Sequence, residues 1–170
     1  DEEAMKNIHK IQIVSCGTAY HAGMVGKAYL EKYARLSVET EAASEYRYKN
    51  PIVDAHTLLI VISQSGETAD TLAAIRLAKE NGARVLAITN VVGSSIAREA
   101  NDVLYTNAGP EIAVASTKAY ITQVACMLML ALHLGKLNGT IDDAVIEVVT
   151  DALLKTSDSV AQAIKKSQMI

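Results

Sequence analysis

Thr57-Leu58-Leu59-Ile60-Val61-Ile62-Ser63-Gln64-Ser65-Gly66-Glu67-Thr68 carries the fold assignment for this chain of 170 residues. Every position from Leu58 to Ile62 is aliphatic. A strand with one solvated face alternates apolar and polar residues, so an unbroken apolar run bounded by polar turn residues reads as a strand covered on both faces. The small polar turn that follows leads into a helical pattern ending near Gly82. Strand, turn and helix in that order form the repeating unit of a parallel sheet.

The unit recurs on either side. Residues 11–15 read as a strand, Cys16-Gly17-Thr18 as its turn, and a helix continues through about Tyr33. Residues 37–42 make a weaker strand, followed by an aromatic and charged segment, 45–49, and a break at Pro51. Residues 84–89 and 103–106 read as the fourth and fifth strands, with Ser94-Ser95 as the N-cap of a short helix between them. Gly109-Pro110 interrupts the chain before a long apolar helix from about Ser116 to Leu134. Gly135 and Gly139 punctuate that helix, and a last one starts near Asp142. The expected class is α/β, a five-stranded parallel sheet flanked by helices, forming one domain over residues 1–170.

Composition narrows the partners. Half of the residues are hydrophobic, enough for a sizeable core without staples. Aromatic content is 4%, all tyrosine, which leaves the core to aliphatic side chains and little for base stacking. A net charge of -3 with scattered lysines and arginines argues against a nucleic-acid partner. No stretch reaches the roughly 18 apolar residues that span a bilayer, and the N-terminus lacks the order of a signal peptide, so the expected location is cytoplasmic, without a membrane partner. Cys16 and Cys126 do not make a disulfide framework, and Cys16 is expected to be a buried, inert thiol. His9, His21, His56 and His133 read as isolated from one another, so no metal or other cofactor is expected. The chain opens at Asp1 without an initiator Met and stops straight after a helical pattern, which suggests a piece of a longer protein.

A parallel sheet holds its ligands at the carboxyl ends of its strands, near the reversal of strand order. Three loops there carry chemistry. The 63–68 turn sets the hydroxyls of Ser63, Ser65 and Thr68 and the amide of Gln64 around Gly66, which lets the backbone approach a ligand. Free N–H groups and the dipole at the helix start favour an anion, and hydroxyls add donors to phosphate oxygens. The alternative is that Ser65 or Thr68 only caps the helix. Cys16-Gly17-Thr18 occupies the same place one unit earlier, or is a plain turn. Gly17, Gly23 and Gly26 do not have the spacing of a dinucleotide fingerprint. The third loop, 111–118, opens the long helix with two hydroxyls and an early lysine, with Ser116 or Thr117 as a possible cap.

Taken in order, Cys16-Gly17-Thr18-Ala19-Tyr20-His21-Ala22-Gly23, Ala43-Ser44-Glu45-Tyr46, Ser63 through Thr71, Thr89-Asn90-Val91 and Glu111 through Tyr120 resemble the sugar isomerase (SIS) family over about residues 11–134. The resemblance implies a flavodoxin-like three-layer sandwich. It implies the first of two such domains in an enzyme that converts fructose 6-phosphate and glutamine to glucosamine 6-phosphate and glutamate, paired as a homodimer through these domains. It places the substrate phosphate on Thr18, Ser63, Gln64, Ser65 and Thr68, and the sugar on Val114, through its backbone, and Ser116. Ala19 stands where the family carries a serine, which implies one lost hydroxyl contact. No catalytic residue is assigned to this chain, because the family's general base, its companion lysines and its histidine lie in the second domain or the C-terminal tail. Two other readings share the fold: a sugar-phosphate sensor without catalysis, and a deglycase or simple aldose-ketose isomerase.

Overall fold

The structure is a computed structural model that describes residues 2–113 and 115–167. Five strands, β1 (Lys10–Ser15), β2 (Ser37–Ala42), β3 (Thr57–Ser63), β4 (Arg84–Thr89) and β5 (Asp102–Tyr105), form one sheet in the order β2-β1-β3-β4-β5. Every pairing is parallel. All seven residues of β3, the central strand, are buried. Leu58, Ile60 and Ile62 pack into the core on one side of the sheet, and Leu59 and Val61 into the core on the other. Each such aliphatic side chain contributes about 1.5–3 kcal/mol on burial, which is why an unbroken apolar run belongs at the centre.

Helices α2 (Gly17–Tyr29), extended by a π-helical turn at Leu30–Ala34, and α6 (Lys118–Leu137) cover the first face. The second is covered by α3 (Ala43–Tyr46), α4 (Ala69–Glu80) and α5 (Ser95–Glu99). A short α1 (Glu2–Lys6) precedes the sheet and α7 (Asp143–Ser167), with no buried residue, follows it. The sequence boundaries of the five strands hold to within a residue.

Several expectations change. The aromatic segment at 45–49 begins as a helix, because Tyr46 turns into the core and its hydroxyl donates to Gln12 Oε1 at 2.7 Å. Gly135 does not end the long helix. It lies buried inside α6, where a Cβ would sit 2.7 Å from the carbonyl oxygen of Tyr33, so glycine permits the helix to approach the π-helical turn. By length and composition α6 is apolar enough to cross a membrane, against the sequence expectation, because its Leu, Met, Ala, Ile and Val residues outweigh polar positions such as Gln123 and His133. In the fold it lies against the sheet, with Met127, Ala131 and Leu134 in the core. The Met127-Leu128-Met129-Leu130 run divides accordingly: Met127 is buried and Met129 is exposed. His9 and His56 are not isolated, because the start of the sheet brings them together as stacked rings 4.8 Å apart.

Candidate functional site

Strand order reverses between β1 and β3, so the chain leaving β1 enters α2 on one face and the chain leaving β3 enters α4 on the other. Diverging loops leave a crevice at their origin. A cavity of about 230 Å³ occupies it, lined by Thr18, Ser63, Gln64, Ser65, Thr68 and Ser116, together with Cys16, Gly17, Ala19, Ile62, Glu111, Ala113 and Gln123. Six of the seven residues singled out from the sequence thus meet at one place. The seventh, Val114, lies outside the described residues.

The β3–α4 turn is built by its own hydroxyls. Gly66 N–H donates to Ser63 Oγ at 3.0 Å and Glu67 N–H donates to Ser65 Oγ at 3.3 Å. Ser63 Oγ and Thr68 Oγ1 lie 3.4 Å apart. A hydroxyl that accepts from the turn keeps its own hydrogen for a ligand. Thr68 occupies the N-cap of α4 but makes no side-chain capping bond, and Ser65 lies outside the helix. Capping therefore does not account for either hydroxyl. Glu67 points away and accepts from Ser95 N–H at 2.9 Å, which ties the turn to α5. In the β1–α2 turn, Gly17 has φ +59°, a left-handed conformation natural to glycine, and Thr18 follows it half-buried. Cys16, expected to be buried, is half-buried and lines the cavity.

The third loop depends on Glu111, which the sequence reading did not single out. Its carboxylate accepts from Ser116 Oγ at 2.7 Å, Thr117 N–H at 3.0 Å, Thr117 Oγ1 at 3.0 Å and Lys118 N–H at 3.1 Å. A carboxylate thus caps the first turn of α6, whereas Thr117, at the N-cap position, makes no side-chain capping bond. Ser116 Oγ also accepts from Tyr120 N–H at 3.2 Å. Since Ser116 gives its hydrogen to Glu111, it faces a ligand as an acceptor, which suits a sugar hydroxyl and not a phosphate oxygen.

The hydrogen bond from Ser116, then that from the Thr117 backbone, hold the Glu111 carboxyl down at about 2. A carboxylate with a depressed folded value stabilises the fold above its ordinary value of 4.5, and that contribution disappears as pH falls through about 2. The Thr117 and Lys118 amide protons are therefore expected to titrate by NMR with a midpoint near 2. A midpoint near the ordinary 4.5 would mean that the brace is not formed in solution.

Among the described lining residues none is a lysine or arginine, so an anion placed here would meet only neutral hydroxyls, backbone N–H groups and a helix dipole. A second cavity, about 370 Å³, lies at the β2 edge. Its polar groups already serve one another: Gln12 Nε2 donates to Glu39 at 3.2 Å, Lys10 Nζ to the Ile52 carbonyl at 2.7 Å, and Lys49 pairs with Glu41 at 2.5 Å. The loop cavity, where the hydroxyl hydrogens of Thr18 and Ser65 are uncommitted, is the better candidate.

Residues 4–133 match the SIS domain family. The chain is 58% identical over 169 residues to a glutamine–fructose-6-phosphate aminotransferase (isomerizing) of Clostridium tetani and 54% identical to that of Clostridium perfringens. Each match covers 99% of this chain, which spans only about 28% of the length of those curated relatives. Among solved structures, the C-terminal domain of glucosamine-fructose-6-phosphate aminotransferase from Francisella tularensis superposes with a TM-score of 0.92 at 41% identity, covering 96% of this chain and 47% of that one.

Proposed function

Because the chain belongs to the SIS domain family, we propose that it is a sugar-phosphate-binding domain of a cytoplasmic glutamine–fructose-6-phosphate aminotransferase, holding fructose 6-phosphate or glucosamine 6-phosphate in the cavity between the loops after β1 and β3. The observation that carries this reading is convergence: hydroxyls from three loops far apart in sequence line one cavity at the strand-order reversal. Thr18, Ser63, Gln64, Ser65 and Thr68 take the phosphate. Ser116 takes the sugar, and Val114 is proposed beside it on the family resemblance alone. Ala19 offers no hydroxyl to the phosphate.

Moving a proton between adjacent sugar carbons needs a base whose pKa lies near the working pH. Glu111 is the one carboxylate among the described lining residues, and it is held at about 2 with both oxygens accepting hydrogen bonds. This domain binds and orients, and the proton is moved by groups outside it. Pairing of two copies through this domain belongs to the same proposal.

Titration with fructose 6-phosphate followed by amide NMR tests the reading. Neutral donors alone supply about 4 kcal/mol, a Kd in the millimolar range. The amides of residues 63–68 are expected to move first. With fructose 6-phosphate and ammonia, the 170-residue chain is expected to form no glucosamine 6-phosphate. Shifts confined to α7 would remove the site from these loops, and measurable turnover would place the catalytic groups inside this chain.

A further inference from the structure

Gln123 lies on the floor of the loop cavity, on the stripe of α6 that also buries Ala119, Met127, Leu130 and Leu134. Helical spacing calls for an apolar side chain there. Only 1% of Gln123 is exposed, and its carboxamide oxygen has no hydrogen-bond partner. A buried amide left unpaired is less stable than an apolar group of the same shape, so packing does not explain this residue. Ser15, at the end of β1, repeats the pattern: it is fully buried and its Oγ is also without a partner. It sits beside the floor residue Ile62, since a Cβ on Gly23 would lie 3.7 Å from both Ser15 Oγ and Ile62 Cδ1. At the rim, by contrast, Ser65 and Ser116 have partners, as does the buried Ser63.

We propose that Gln123 is a specificity-determining residue, whose carboxamide oxygen accepts a hydrogen bond from a hydroxyl of the bound sugar. The proposal rests on the reading that the cavity holds a sugar phosphate. An unpaired acceptor is satisfied only by a donor. A phosphate held by the rim donors carries no further group beyond its own oxygens to reach Gln123, whereas the carbohydrate of a sugar phosphate extends hydroxyls past it, and such a hydroxyl donates to the oxygen and can accept from the same carboxamide's NH₂ group. Rim and floor thereby divide the work: the rim hydroxyls bind any phosphate, and the floor separates sugar phosphates from phosphate itself. A site built to pair with a hydroxyl discriminates strongly against ligands that lack it.

The test uses the 170-residue chain, wild type and Gln123→Met, titrated with fructose 6-phosphate and, separately, with inorganic phosphate. Gln123→Met is expected to weaken fructose 6-phosphate binding about five- to tenfold and to leave inorganic phosphate binding unchanged, a split that a purely structural role would not produce. A wild-type measurement stands beside it: the Gln123 side-chain NH₂ resonances are expected to move with fructose 6-phosphate and stay still with inorganic phosphate. Equal weakening toward both ligands, unchanged fructose 6-phosphate affinity, or side-chain resonances that stay still with both ligands overturns the inference. If the amides of residues 63–68 respond to the sugar phosphate while Gln123 is silent, only this inference falls. If neither ligand moves those amides in the wild type, the reading of the cavity falls with it.

Discussion

Ser65→Ala is expected to weaken fructose 6-phosphate binding by roughly 10- to 150-fold, because a hydrogen bond to a charged group contributes about 1.5–3 kcal/mol. The structure separates this effect from stability. Ser65 is exposed, and its hydroxyl accepts a single bond, from Glu67 N–H at 3.3 Å, within the turn and not at the helix N-cap. Had Ser65 capped α4, alanine would lower stability by about 1 kcal/mol. At an exposed turn position, where water replaces the lost partner, the change stays within about 0.5 kcal/mol. One variant examined twice decides the matter: its thermal midpoint stays near that of the wild type while its titration loses saturation. Unchanged affinity would remove Ser65 from the site, whatever happened to the midpoint.

What was legible in the sequence was local. Leu58 to Ile62 declares a central strand because a strand buried on both faces cannot alternate, and the hydroxyls that follow declare a turn because Gly66 and its neighbours set their own backbone. Features that depend on distant partners were not legible. Gly135 reads as a helix stop until the Tyr33 carbonyl is seen against it. His9 and His56 are far apart in the chain and stack only because the sheet aligns their segments. Glu111 lies six residues before Thr117, outside the short offsets by which helix caps are recognised, so its role follows from the path of an irregular loop. Gln123 did leave a signal, a polar residue on an otherwise apolar helical stripe, but its meaning depends on the cavity that the stripe faces. The family resemblance supplied the order of these motifs, and the fold supplies the reason for it: each motif follows the carboxyl end of a strand or begins a helix.

Gly66→Ala is expected to destabilise the domain by about 2–5 kcal/mol, the sum of two independent costs. Gly66 has φ +69°, a left-handed conformation that costs an L-residue about 1–2 kcal/mol. A Cβ there would also lie 2.1 Å from Ser94 Oγ, 2.5 Å from Ser94 Cβ and 2.9 Å from Thr89 Oγ1. Overlap of that kind forces displacement costing about 1–3 kcal/mol, and the neighbours have little room to move: Ser94 is 3% exposed and Thr89 is fully buried at the end of β4. Shifting Gly66 instead breaks the bond that Ile96 N–H donates to its carbonyl at 3.0 Å, and with it the seat of α5. For a domain of this size each kcal/mol lowers the thermal midpoint by about 2–4 °C, so the variant should melt roughly 4–20 °C early. Gly93→Ala provides the control, since Gly93 has φ +73° but nothing within 4 Å of its Cβ position. It carries only the backbone cost, about 1–2 kcal/mol, and a midpoint drop of a few degrees. The difference between the two variants measures the crowding at Gly66 alone. Equal midpoints would show that β4 and α5 yield freely around the turn. The β3–α4 turn would then owe its shape to its own hydrogen bonds and not to the wall of side chains behind it.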